Sequence, residues 1–229
     1  MKQKNFSLAV AMALILSAGC TGVKNDQSGA TDSLQMTAVA LPELTEGDNI
    51  ILENDDMRIV ERDNPPTDDD VYSNSFEIQP KHTGIKHFKI KGSVLDFEKL
   101  VGRTLITSEG TGTVRTLWLH DLTTGEVVVP IDLPFDSGHD IEIADEDTFF
   151  FYTNDSDLPT ICWDKQKGVW VDQNEVYDFL RNEQLKEEQD KAKQYLFDGY
   201  PLRALQMVEV KLQERIVNPL SEYKWSVVE

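Results

Sequence analysis

This chain has almost no cysteine: Cys20 and Cys162 are the only two. A disulfide framework is therefore excluded. It is short of positive charge, with 22 Lys and Arg against 41 Asp and Glu and a formal net charge of −19. That balance argues against nucleic acid, whose binding relies on clustered Lys and Arg, and against adhesion to anionic headgroups. No apolar run reaches the roughly 20 residues a membrane-spanning helix needs. The nucleophile elbow, the phosphate loop, the H-E-x-x-H zinc pattern and the dinucleotide fingerprint are all missing. No cofactor is therefore expected. The His–Asp neighbours, His120-Asp121 and His139-Asp140, do not make ready dyads, because adjacent strand residues point to opposite faces.

What is present begins at the amino terminus. Lys2 and Lys4 precede the uncharged apolar run Phe6–Leu16, and small residues then lead to Cys20. A positive start, a short apolar core and a small-residue cleavage site read as a secretory signal. The string Leu16-Ser17-Ala18-Gly19-Cys20 resembles the lipobox of bacterial lipoproteins, with Ser17 where that family most often has Leu. The resemblance covers residues 1–20. It implies acyl chains on Cys20, cleavage of residues 1–19, and residence in the bacterial cell envelope as a lipid-anchored protein. With Thr21 rather than Asp after the cysteine, the same resemblance implies the outer rather than the inner membrane. One acyl chain binds marginally, whereas the several on such a cysteine hold a protein without a spanning helix. Residues 20–47 follow as the lipidated cysteine and a small, polar tether. Leu34–Leu44 is mildly apolar and could dock on the domain or a partner.

Residues 48–229 read as a single, mainly β domain with one α-helix in its C-terminal half. The strands are expected to form antiparallel meander sheets, curled or sandwich-like, with the helix packed at one side. Arg62–Asp70 has two prolines and a run of aspartates and cannot be regular structure. Asp68, Asp69 and Asp70 are candidates for a hard cation, which takes clustered carboxylates. A solvated loop is the plainer reading. Lys81, Lys86, Lys89 and Lys91 make one basic strip in an acidic chain, complementary to that loop. His82 and His87, five apart, do not share a strand face and are not expected to bind a metal.

Between Arg103 and Asp172 two similar units are expected. The first holds strands at 104–107, 116–119 and 126–129, the last two joined by Asp121-Leu122-Thr123-Thr124-Gly125. The second holds strands at 140–143, 148–152, 160–163 and 168–171. The 45-residue offset between Trp118 and Trp163, with the string LWLHDLTTGE, resembles β-propeller blades. The chain is too short for a propeller, so two consecutive meanders are expected, with Trp118, Phe149, Phe151, Trp163 and Trp170 in the core. Asp172-Gln173-Asn174-Glu175 resembles a capping box, predicting a helix near 174–197. The alternation of Val208, Val210 and Leu212 favours a closing hairpin over a helix in the tail.

Cys162 reads as a buried, inert thiol. His139 and Asp140 lie in Asp136-Ser137-Gly138-His139-Asp140, a segment that could host acid–base chemistry or a metal with Asp132 and Asp145. A polar turn is the simpler reading. Three functions fit. The first is an envelope lipoprotein whose acidic domain binds another protein, a basic one by charge, as an inhibitor, immunity or accessory protein. The second is a structural subunit of an envelope assembly. The third is a hydrolase acting through the His139 segment.

Overall fold

A computed structural model describes residues 37–65, 72–155, 157–173, 176–181, 183–192 and 201–227. The described chain is mainly β, antiparallel throughout, with one α-helix. Four strands form a first sheet in chain order: β1 (Asn49–Glu53), β2 (Met57–Asn64), β3 (Ser73–Pro80) and β4 (Phe88–Gly92). The second sheet begins with the meander β5 (Leu95–Val101), β6 (Thr104–Glu109) and β7 (Val114–Asp121). It continues through β8 (Phe135–Asp136), β9 (Glu142–Ile143), β10 (Thr148–Thr153), β11 (Thr160–Asp164) and β12 (Val169–Asp172). A 3-10 turn (Asp178–Arg181) and α1 (Glu183–Ala192) precede the closing hairpin of β13 (Pro201–Lys211) and β14 (Ile216–Val227).

Period-two alternation builds both sheets. In β7, Arg115, Leu117 and Leu119 point inward, and in β10 Phe149, Phe151 and Thr153 do. Leu117, Leu119, Phe149 and Phe151 join Val208 and Val210 of β13 in the main core. The same alternation corrects the placement of Trp118. Its neighbours Leu117 and Leu119 take the inward positions, so Trp118 is 37% exposed and its indole N–H donates to Glu109 Oε2 at 3.0 Å. Phe149 and Phe151 are buried as expected, and Trp163 and Trp170 pack edge to face at the margin of a second cluster.

The expected second meander does not form. β10 and β11 are not neighbours, because β13 lies between them, pairing with β11 through residues 201–203 and with β10 through residues 206–211. β13 is an 11-residue strand whose Leu202, Ala204, Leu205, Val208 and Val210 are fully buried. So long and apolar a strand belongs inside the sheet, and pairing from fifty residues away leaves no local signal. The segment 126–129 is not a strand either. Val127 makes one bridge to His120 and Val128 N–H bonds Leu119 O, after which Pro130 ends the run.

Within the span expected to be helix, 176–177 are irregular, Asp178–Arg181 is a 3-10 turn and Glu183–Ala192 is α-helix, while 174–175, 182 and 193–197 lie outside the described residues. Asp172 belongs to β12 opposite Ile161, so it cannot cap a helix, and α1 starts at Glu183. Val176, Leu180 and Leu185 cover Ile161, Leu202 and Trp225. Helix α1 also lies along the free edge of β14, where Glu188 Oε2 accepts the Trp225 N–H at 2.9 Å. An edge strand covered in this way is closed to further pairing.

Residues 37–47 lie on the domain, so the expected free tether to residue 47 must be shortened. Val39 N–H bonds Lys81 O, Thr83 N–H bonds Thr37 O, and the buried Arg58 donates to Pro42 O. Asp48 accepts two hydrogen bonds from Arg62. The first sheet packs through Met57, Ile59, Phe76 and Ile78 on Leu95, Leu105 and Leu122 of the second. Asn74 of β3 joins them, accepting the Leu95 N–H at 2.7 Å and donating to Leu95 O at 2.8 Å.

Candidate functional site

Cys20 and Asp68, Asp69 and Asp70 lie outside the described residues. Cys162 is half-buried rather than buried, because it sits on the outward face of β11 opposite Val171, against the Gln173 side-chain amide. His82 pairs with Asp56 and His87 with Glu77, on separate carboxylates. Among the described residues, no three His, Cys, Asp or Glu side chains are grouped so that they could hold a metal ion.

His139 does meet a carboxylate, but not the one beside it in the chain. Its Nδ1 lies 3.0 Å from Oδ1 of Asp136, which is 4% exposed and also accepts the Gly138 N–H. Asp140 is exposed and takes no part. The other Asp136 oxygen faces the Asn154 amide, and Arg203 donates to Asn154 Oδ1 at 2.7 Å. The His139 ring lies 5.5 Å from the Tyr152 ring, over which Lys224 Nζ stands at 3.5 Å. Burial pushes the Lys224 ammonium below its ordinary pKa, against the opposing pull of Asp136, Glu142 and Glu188. Burial likewise raises the Tyr152 phenol. Asp136 thus closes a turn and orients an imidazole. The neighbouring hydroxyl of Ser137 points away, to the carbonyls of Gly112 and Thr113. The geometry is that of a polar network that fixes loop 136–140 to β10, β13 and β14.

A more open arrangement lies where the two sheets meet. Ile51, Glu61 and Phe76 from the first sheet, Leu95–Glu98 and Arg115 from the second, and Ser137 line a cleft of about 430 Å³. Glu61, Asp96 and Glu98 bring carboxylates to it, Ile51 and Phe97 contribute half-buried apolar surface, and Phe76 and Leu95 lie almost fully buried beneath. A register shift between Phe97 and Lys99 sets these side chains: Glu98 has no partner across β6, and a bulge re-aims the strand there. Glu61 accepts from Asn49 and Asn74, and Glu98 from the Ser108 hydroxyl, so each carboxylate is held in place. Arg115 is buried, paired to Asp96 and to Val94 O, with its Nε–H left without a partner. Such a cleft suits an organic cation on an aliphatic stem: the charge meets carboxylates and the methylenes meet the half-buried Ile51 and Phe97.

No known family, curated protein or solved structure matches this chain. Function is therefore read from the site itself. Sequence reasoning did not find the cleft. Glu61, Asp96 and Arg115 come from three strands, and the only local trace is the alternation Leu95-Asp96-Phe97-Glu98, which reads as an ordinary half-buried strand.

Proposed function

We propose that this chain is a lipid-anchored protein of the bacterial envelope whose acidic domain binds a basic protein. The observation that carries the reading is the cleft between the sheets, which Glu61, Asp96 and Glu98 line together with the half-buried Ile51 and Phe97. A Lys or Arg side chain of the partner enters it, stem against Ile51 and Phe97 and charge against the carboxylates. The chain's net charge of −19 adds long-range attraction, which speeds encounter and is screened by salt. An inhibitor, an immunity protein and an accessory subunit all use such a surface.

The anchor follows from the lipobox-like segment ending at Cys20. With residues 37–47 held on the domain, the linker behind the lipid is shorter than composition implied, and the domain works closer to the bilayer. The test is a pull-down from envelope extract at low salt with the full chain, beside a variant carrying E61Q, D96N and E98Q. A cationic envelope or effector protein retained by the native chain and lost from the variant supports the proposal. Retention of no such protein, or equal retention by both, refutes it.

A further inference from the structure

A second cleft, of about 450 Å³, opens where three turns converge at the other end of the large sheet. Its lining includes Arg103 from the β5–β6 turn, Asp121 at the end of β7, Glu146 and Asp147 before β10, and Arg215 from the β13–β14 turn. The cleft is built by specific locks. Gly102, at φ +53, passes so close to Glu146 that a Cβ would stand 2.5 Å from its carbonyl oxygen. Asp147 accepts the Gln213 N–H on its carboxylate and the Leu212 N–H on its carbonyl.

The arginines mark this place. Arg58, Arg62, Arg115, Arg181 and Arg203 each hold a partner. Arg103 and Arg215, both exposed, have no hydrogen-bond or ion-pair partner among the described residues, in a chain where acids outnumber bases almost two to one, and both line this cleft. Arg103 helps keep Asp121 ionised but forms no ion pair with it. Arg215 is also one of the two non-glycine residues, among those described, with positive φ, at +56 in a turn position that glycine fills at lower cost. Residues held in sparsely populated backbone regions cluster at ligand sites.

The acids of the cleft decide the kind of ligand. Asp121 and Asp147 are occupied by turn hydrogen bonds, whereas Glu146 is exposed. A simple anion would meet two guanidiniums but three carboxylates. We propose that this cleft binds a small zwitterion, its oxyanion held by Arg103 and Arg215 and its ammonium by Glu146. Guanidinium is the group suited to paired hydrogen bonds with carboxylate or phosphate, and the volume is that of a small-molecule site. The inference stands independently of the partner proposed above.

Calorimetric titration of the full chain tests it with phosphoethanolamine and glycylglycine, beside inorganic phosphate and ethanolamine. At least one zwitterion should bind about tenfold or more tightly than either single-charge probe, a step equal to one charge-assisted hydrogen bond. Preference for phosphoethanolamine identifies a headgroup-like ligand, and preference for glycylglycine a peptide terminus. R103Q with R215Q should weaken binding at least about tenfold, and E146Q should reduce the zwitterion to the affinity of the anion alone. R215G should lose affinity without a lower melting temperature, which separates binding from folding. No binding of either zwitterion, equal binding of inorganic phosphate, or undiminished affinity in the double variant overturns the proposal.

Discussion

Asn74→Ala is the sharpest probe of how the two sheets hold together. Asn74 and Leu95 are both almost fully buried, and the Asn74 amide satisfies both backbone groups of Leu95 while donating also to Glu61 at 2.7 Å. Removing it leaves the Leu95 N–H and C=O without protein partners. Each orphaned buried group costs about 1–3 kcal/mol, so the variant should lose about 2–5 kcal/mol after water relieves part of the loss. In a domain of this size that is roughly 5–15 °C in Tm. Urea unfolding should be followed by two probes. Tryptophan fluorescence reports the large sheet, which carries Trp118, Trp163, Trp170 and Trp225, and amide exchange at Phe76 and Ile78 reports the small one. The small sheet should lose protection first. Asn74→Asp makes the control: it keeps an acceptor for Leu95 N–H but sets a second carboxylate against Glu61. It should therefore cost more than alanine near pH 7 and recover as the pH falls below about 4. A loss under about 0.5 kcal/mol, with unchanged exchange in β2 and β3, would show that the joint between the sheets lies elsewhere.

Glu188→Ala takes the acceptor from Trp225 N–H and uncovers the edge of β14, so about 1–2 kcal/mol should be lost in urea, with concentration-dependent association on size exclusion. Arg215→Gly relieves an αL residue, worth about 1–2 kcal/mol, against a glycine entropy cost of about 0.5–1, so a net gain near 0.5–1 kcal/mol should appear in thermal melts. Acid should destabilise the domain from about pH 4 downward. Asp48, held low by Arg62, and Asp145 and Asp164, held low by backbone N–H groups, have folded values below the unfolded one, so their contribution is present above that value and is lost as pH falls through the folded ones. Asp145→Asn, which cannot ionise, should flatten that acid limb in a series of melts from pH 5 to pH 2.

Strand content, antiparallel pairing and the closing hairpin were legible because they rest on short-range physics. Alternation at period two shows in Thr148–Thr153 and Val208–Leu212, and the Asp121–Gly125 turn is written in an Asp that accepts from Thr123 and Thr124 and a glycine at φ +72. Local grammar of this kind, the acidity and the pair of cysteines are written residue by residue. Which strands become neighbours is set by long-range packing. The insertion of β13 between β10 and β11 broke the expected second meander, because a strand pairs where its apolar face is buried and not where its chain neighbours lie. The same holds at the sites. His139 meets Asp136 three residues back rather than Asp140 beside it, since a turn can bring i and i+3 together while adjacent side chains diverge. Glu61, Asp96 and Glu98 share a cleft, and Arg103 and Arg215 another, because sheet packing and three converging turns bring together residues up to 112 positions apart in the sequence.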